Sequence, residues 1–278
     1  MLRALYTSAT AMIKDMTRQD VVANNLANSA TIGYKRDLAV SSSFDDQLII
    51  RENDPVGPEK LSIDPKPVIG KLGFGTRVDT VATIYETGAL KQTDNETDVA
   101  IVDHKDTANP AEQTTDFFAV KTASGIRYTR DGSFSLQPTQ NGTRILTTDV
   151  GDPVLGTTGQ PIELPQGKVN ISQDGTVEVN GENVDQLQIV GFQTAQLQKD
   201  PTLLKKEGGN LFVYGGTGTP QADANPDVKQ GFLETSNVNT VRKMVEMITV
   251  MRSYEANSKI IQSLDSTLDR TANDVGKV

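Results

Sequence analysis

The residues best equipped for chemistry in this 278-residue chain are its carboxylates, one histidine and a few glycine clusters. His104 lies near Asp103 and Asp106, neighbours that would suit a metal ligand or a general base. Neither role is completed: there is no second histidine and no Gly-x-Ser-x-Gly nucleophile elbow, so a solvated loop is expected. Asp94-Asn-Glu-Thr-Asp98 has the acidic spacing of a calcium loop, but the twelfth position from Asp94 is Lys105, where a bidentate glutamate is required. Gly73-Phe-Gly75 and Gly215-Gly-Thr-Gly218 open no helix and lack the rest of a phosphate-binding fingerprint, so both read as turns. The absence of cysteine removes thiol nucleophiles, thiolate zinc sites and disulfides together. The catalytic arrangement that composition leaves open is a pair of carboxylates about 5–10 Å apart in a cleft, as in a glycosidase acting on cell wall. No catalytic, cofactor-binding or metal-binding residue is assigned.

Any such residues would have to be held by elements, and the charge shows how those are arranged. The formal charge is −9, and the longest basic runs are the pairs Lys35-Arg36, Lys205-Lys206 and Arg242-Lys243, which excludes nucleic acid as a partner. Residues 1–36 carry five bases and two acids, residues 234–278 six of each, and the stretch between them 16 bases and 28 acids. The acidity therefore belongs to the middle, and the two ends form a separate chemical class. No stretch approaches the ~20 apolar residues of a membrane helix. The N-terminus lacks a basic region followed by an apolar one, so an exported chain would need a route other than a cleavable signal.

Each end reads as a long helix. Leu2, Leu5, Ala9, Met12, Met16, Gln19, Ala23 and Leu26 alternate steps of three and four, and Met244, Met247, Met251, Tyr254, Ser258, Ile261, Asp265 and Leu268 repeat the pattern. Val241, Val245, Ile248, Ile260 and Leu264 widen the second apolar face. Asn28 and Gly33 suit the exit of the first helix, and Ser236, Asn237 or Asn239 the capping of the second. Helices over 2–28 and 240–271 would be roughly 40 and 48 Å long. They either dock on the middle of the chain or pair with each other and with copies of themselves; their length, their Met-rich faces and their small net charge favour pairing.

Between them, Pro55, Pro58, Pro65 and Pro67 break any helix, so 37–72 is expected to be an irregular linker. Strand-like runs follow, at Arg77–Ile84, Asp98–Val102 and Phe117–Lys121. Asp131-Gly132, Asn141-Gly142, Asp174-Gly175 and Asn180-Gly181 are hairpin-turn dipeptides, which points to antiparallel structure rather than βαβ units. The expected fold is α+β, with long terminal helices (1–36 and 234–278) pairing in a coiled-coil-like core domain. An antiparallel β-rich domain (73–214) and a second linker (215–233) lie between them.

Ala23-Asn-Asn-Leu-Ala-Asn-Ser-Ala-Thr-Ile-Gly-Tyr-Lys-Arg36 resembles the N-terminal signature of the bacterial flagellar axial family, the rod and hook proteins. Gly88-Ala-Leu-Lys-Gln-Thr, Asp98-Val-Ala-Ile, Gly125-Ile-Arg-Tyr-Thr-Arg-Asp-Gly-Ser-Phe and Ile171-Ser-Gln-Asp-Gly-Thr-Val continue the resemblance. Gly231-Phe-Leu-Glu-Thr-Ser-Asn-Val-Asn239 and Met251-Arg-Ser-Tyr-Glu-Ala-Asn-Ser-Lys259 complete it, in family order along most of the chain. The resemblance implies a non-enzymatic basal-body subunit that self-assembles helically through its terminal helices into a hollow, torque-transmitting rod. Its partners would be copies of itself, other rod and hook proteins and the flagellar type III export apparatus. The segment around Tyr254 and Ser236–Asn239 looks most like the distal rod members, with proximal rod or hook-type proteins as the alternative. Val102–Asp116 stands where the family usually has a short glycine turn, and reads as a surface insertion.

The residues expected at subunit interfaces follow from the stripes and motifs. From the first helix and its exit they are Leu5, Met12, Met16, Asn24, Asn25, Leu26, Asn28, Gly33 and Tyr34. From the second they are Asn237, Met244, Met247, Ile248, Met251, Tyr254, Glu255, Ile261 and Leu268. Asn24, Asn25 and Asn28 offer amides that fix register between subunits, since a buried unpaired amide is costly, or else they simply terminate the helix. An extracellular adhesive or capping module is a further alternative.

Overall fold

The computed structural model describes residues 2–50, 68–103, 114–139, 142–208, 210–216, 218, 220 and 226–275. The chain divides into two compact units. The first comprises residues 1–24, 38–81 and 241–278, the second residues 25–37 and 82–240.

In the first unit, α1 (Leu2–Ala27) is followed by β1 (Asp37–Ser43), β2 (Gln47–Ile50), β3 (Val68–Leu72) and β4 (Thr76–Thr83). β1 pairs with β4, and β2 pairs antiparallel with β3. The stretch expected to be irregular over 37–72 therefore carries three strands; Pro55, Pro58, Pro65 and Pro67 lie outside the described residues. Alternation at Leu38 and Val40 and the run Leu48-Ile-Ile50 supply the β character that the prolines mask in a wider window. Phe44, after β1, packs its ring 6.5 Å from Tyr6 and lies under the Arg77 guanidinium at 5.9 Å. Gly75 turns the chain at φ 134°, where a Cβ would meet Thr10 Oγ1 at 2.2 Å, so this glycine serves the turn expected of it.

The second unit holds the remaining strands. They begin with β5 (Leu90–Gln92), β6 (Val99–Ile101), β7 (Thr114–Thr122), β8 (Gly125–Thr129), β9 (Phe134–Pro138), β10 (Arg144–Thr148) and β11 (Glu163–Leu164). β12 (Val169–Ile171), β13 (Thr176–Val179), β14 (Glu182–Gln186), β15 (Ile189–Gln193) and the short α2 (Thr194–Lys199) follow. β16 (Leu204–Gly208), β17 (Leu211–Tyr214), β18 (Val228–Gln230) and β19 (Phe232–Glu234) close the unit before α3 (Thr240–Val275). The largest sheet has the order β15-β7-β8-β17-β16, with antiparallel neighbours throughout.

β7 explains the unbroken apolar run Phe117–Val120. Phe118 and Val120 enter one core with Phe134, Leu146 and Ile162, while Phe117 and Ala119 enter a second with Tyr85, Phe192 and Phe212. A strand covered on both faces has no polar side to alternate with. Asp174-Gly175 and Asn180-Gly181 link paired antiparallel strands, with positive φ at Gly175, Asn180 and Gly181 as hairpin turns require. Gly142 joins the paired β9 and β10, but its neighbour Asn141 is not described. Asp131-Gly132 is no hairpin turn: it carries the chain from the five-stranded sheet to the sheet of β9, β10 and β11. Gly132 is needed there because a Cβ would lie 1.7 Å from the Val99 carbonyl oxygen.

Candidate functional site

α1 and α3 meet within the first unit. Arg18 donates to Glu246 Oε1 through Nε (3.0 Å) and Nη2 (2.7 Å), and Asp15 Oδ2 accepts from Ser253 Oγ (2.6 Å) and Asn257 Nδ2 (3.3 Å). A step backward along α1 matches a step forward along α3, so the helices run antiparallel. Burial raises the Glu246 carboxyl pKa, but hydrogen bonds from Lys243 and Arg18 outweigh it and bring the group below its ordinary value.

Both helices keep the predicted period but not its whole phase. Leu5, Met12 and Gln19, and Met247, Tyr254, Ile261 and Leu268, are half-buried as the stripes require. Ala9, Leu26 and Ser258 are half-buried as well, but elsewhere the stripes are rotated by one residue: Asp15 and Val22 are buried where Met16 and Ala23 were expected, and Lys243 and Val250 replace Met244 and Met251. The side chains left outward form a second apolar stripe, with Tyr6, Ile13 and Met16 on α1 and Val241, Met244, Val245, Ile248, Met251 and Ile260 on α3. Met16, Met244 and Ile248 are 52–53% exposed.

The second unit holds a buried ionic network assembled from distant parts of the chain. Lys35 Nζ lies 2.7 Å from Glu234 Oε1, and Arg130 Nε donates to Glu234 Oε2 at 2.8 Å. Arg130 also forms a fork to Asp103, at 2.7 and 3.0 Å, and donates to the Asp116 carbonyl at 2.5 Å. Gly88 N–H (2.6 Å) reaches Glu234, and Thr87 Oγ1 (2.9 Å) reaches Asp103. The four charged side chains are at most 8% exposed and their charges sum to zero. Burial, reinforced by the Arg130 cation and only partly offset by Glu234, pulls the Lys35 amine from 10.5 down to about 8.

Around this network the ends of the unit are stitched side by side. Asn25, fully buried, accepts from Asp37 N–H (2.8 Å) and donates to the Asp37 carbonyl (2.7 Å). Asn237 accepts from Arg36 N–H (2.8 Å) and donates to the carbonyls of Ile84 (2.9 Å) and Glu86 (3.0 Å). Gly33, at φ 65°, donates to the Glu234 carbonyl at 2.8 Å, and a Cβ there would sit 2.6 Å from the Arg130 carbonyl carbon. Tyr34 is buried under Lys206, whose Nζ lies 4.3 Å from the ring centre, and burial together with Asp37 raises the phenol to about 12.

The predicted interface residues thus fall into two groups. Leu5, Met12, Met16, Asn24, Met244, Met247, Ile248, Met251, Tyr254, Glu255, Ile261 and Leu268 belong to the helical unit, with Glu255 and Asn24 exposed. Asn25, Leu26, Asn28, Gly33, Tyr34 and Asn237 belong to the β unit, where the amides of Asn25 and Asn237 are engaged inside the chain. Lys35, Arg130, Asp103 and Glu234 were assigned no role from sequence, although three of them stand inside the quoted motifs Gly-Tyr-Lys-Arg, Thr-Arg-Asp-Gly and Phe-Leu-Glu-Thr. Charges embedded among glycine and apolar residues were the available signal.

No group of three acids, histidines or cysteines able to hold a metal occurs among the described residues. His104, Lys105 and Asp106 lie outside them; Asp103 pairs with Arg130, and Glu96 of the acidic run pairs with Lys168 at 3.2 Å. A cleft of about 240 Å³ beside α2, bounded by Phe192, Gln196, Leu203 and Tyr214, has no carboxylate in its lining. No described helix is long and apolar enough to cross a membrane.

Three family models match the chain: flagella basal body rod protein over 5–35, flagellar hook protein FlgE/F/G D1 domain over 113–179, and flagellar basal body rod FlgEFG protein C-terminal over 229–274. The chain is 34% identical to the flagellar hook-basal body complex protein FlhO of Bacillus subtilis, over the whole of both chains. It is 32% identical to the flagellar basal-body rod protein FlgG of Borreliella burgdorferi, covering 96% of this chain and 97% of the relative. The flagellar basal-body rod protein FlgF of Caulobacter vibrioides is 28% identical, with 99% and 98% covered.

Proposed function

Since the chain belongs to the flagellar basal-body rod and hook family, and is a non-enzymatic structural subunit of the basal-body rod, we propose that it polymerises helically through the outward apolar stripe of α1 and α3. The observation that carries this reading is that each helix has two apolar faces. One is closed inside the subunit by the Asp15 and Glu246 contacts; the other leaves Met16, Met244 and Ile248 half in water. Neighbouring copies cover that second face, and their adaptable Met side chains suit contacts repeated at slightly different geometries. Met16, Met244, Ile248 and Met251 are the direct contacts, while Asn25, Gly33, Tyr34 and Asn237 hold the roots of the helices. The coiled-coil-like core is completed between copies, the assembly is hollow, and the subunit reaches it through the flagellar type III export apparatus. The relatives named FlgG favour the distal rod as its position.

Met16→Asp combined with Ile248→Asp tests the reading. Both positions are exposed, so the subunit folds normally, yet it is missing from basal bodies examined by electron microscopy with the protein labelled. Normal rods and swimming with this double variant would refute the proposal.

A further inference from the structure

We propose that the Lys35–Glu234–Arg130–Asp103 network is a closing latch: the β unit completes its fold only when residues 33–37 and 228–237 dock together. The β unit is thereby held unfinished until its C-terminal segment is available. This goes beyond the subunit's place in the rod and does not depend on it.

The contacts of the latch span the chain. Lys35 and Glu234 are 199 residues apart, Gly88 and Glu234 146, and Arg130 and Glu234 104. Local hairpins such as β7–β8 and β13–β14 close across a few residues, so loop entropy places the latch after them. An incomplete network is also self-penalising. Before Glu234 arrives, Lys35 and Arg130 would bring two buried cations to one Asp103 carboxylate, and a buried charge without its partner is strongly destabilising.

The last segment seals more than the charges. Val228 enters the core beside Val99 and Ile171, and the Gln230 side chain binds Ile171 N–H (3.3 Å) and the carbonyls of Val169 (3.1 Å) and Glu96 (2.6 Å). β18 and β19 pair with β6 and β5. Gly33 then donates to the Glu234 carbonyl at 2.8 Å, so the two incoming segments also bond to each other.

The test is the unfolding and refolding kinetics of the full-length chain and of its Glu234→Gln and Lys35→Met variants, followed in urea by tyrosine emission, to which the buried Tyr34, Tyr85 and Tyr128 contribute. A latch that closes after the transition state predicts unfolding faster by on the order of 10²-fold with refolding within about twofold of the parent. Refolding slowed in proportion to the lost stability would place the network in the folding nucleus and overturn the proposal. Hydrogen exchange of the unmodified chain decides the matter if the variants do not fold. The Gly33, Gly88 and Thr235 amides should exchange through an opening of lower free energy than those of Leu146, Val154 and Leu155. Exchange of both sets only through one common opening would overturn it.

Discussion

At Gly33 the backbone conformation and the available space demand the same residue. Gly33→Ala combines the strain of φ 65° with a Cβ 2.6 Å from the Arg130 backbone, so a loss of roughly 1–3 kcal/mol or more is expected, read as a lower urea midpoint. Lys35 yields a pH prediction whose sign follows from proton counting. The folded chain releases this proton near pH 8 and the unfolded chain near 10.5, so the unfolded state binds more protons between those values. The cost of burying the cation is present in full below pH 8, and stability should rise through the window above it. Tyr34 and Tyr85 act oppositely above pH 10, because burial lifts both phenols to about 12 and the unfolded chain ionises first. The rise should therefore be followed between pH 7.5 and 9.5 in urea titrations, and Lys35→Met should reduce it, leaving the smaller contribution of Lys206, whose amine burial also lowers. The sequence marks Lys35, Arg130 and Glu234 only as charges among glycine and apolar residues, and nothing local pairs them with one another or with Asp103. Only the topology, which brings residues 35, 103, 130 and 234 together, makes them one object.

The helices show what a repeat does and does not specify. Steps of three and four residues gave the period, and Leu5, Met12, Met247 and Leu268 are half-buried as that period requires. The phase was not determined, because adjacent stripes are both apolar and only one is satisfied within the subunit. Asp15 resolves the ambiguity: its carboxylate takes Ser253 and Asn257 at a position a pattern of apolar residues would not choose. A single polar residue at such a seam fixes register at some cost in stability. Asp15→Ala should thus lower the helix content of the free subunit on heating, measured by circular dichroism. The Glu246 carboxylate adds a dependence on acid. Its lowered pKa means that its contribution is present above pH 4.5 and is lost as pH falls through its folded value, so helix signal should weaken there unless Glu246→Gln has already removed it. The strands were more legible, since Asp-Gly and Asn-Gly turns dictate local geometry; Asp131-Gly132 misled because a glycine demanded by a passing carbonyl looks the same in sequence as one demanded by a turn.

For the whole molecule, the two compact units imply separable losses. Deleting residues 1–24 or 241–278 removes helix while sparing every residue of the β unit, so near-native sheet signal with no incorporation into basal bodies is expected. Unfolding of the β unit on either deletion would count against its independence. The charge also separates by unit, with 14 bases and 14 acids in the helical unit against 13 and 22 in the β unit: near-neutral helices can be packed many times over, and the acidic β unit keeps the subunit soluble. The bond between Arg36 N–H and the Asn237 side chain, 2.8 Å long, has a consequence for how such subunits diversify. The four places where the chain crosses into or out of the β unit are drawn together on it, because Asn25 bonds Asp37 and Asn237 bonds both Arg36 and Ile84, which makes the rest of the unit a cassette. A larger or smaller insert whose own ends meet could occupy the same place without altering the spacing of the helical roots, so size can vary in the insert while the rule of assembly stays with the ends.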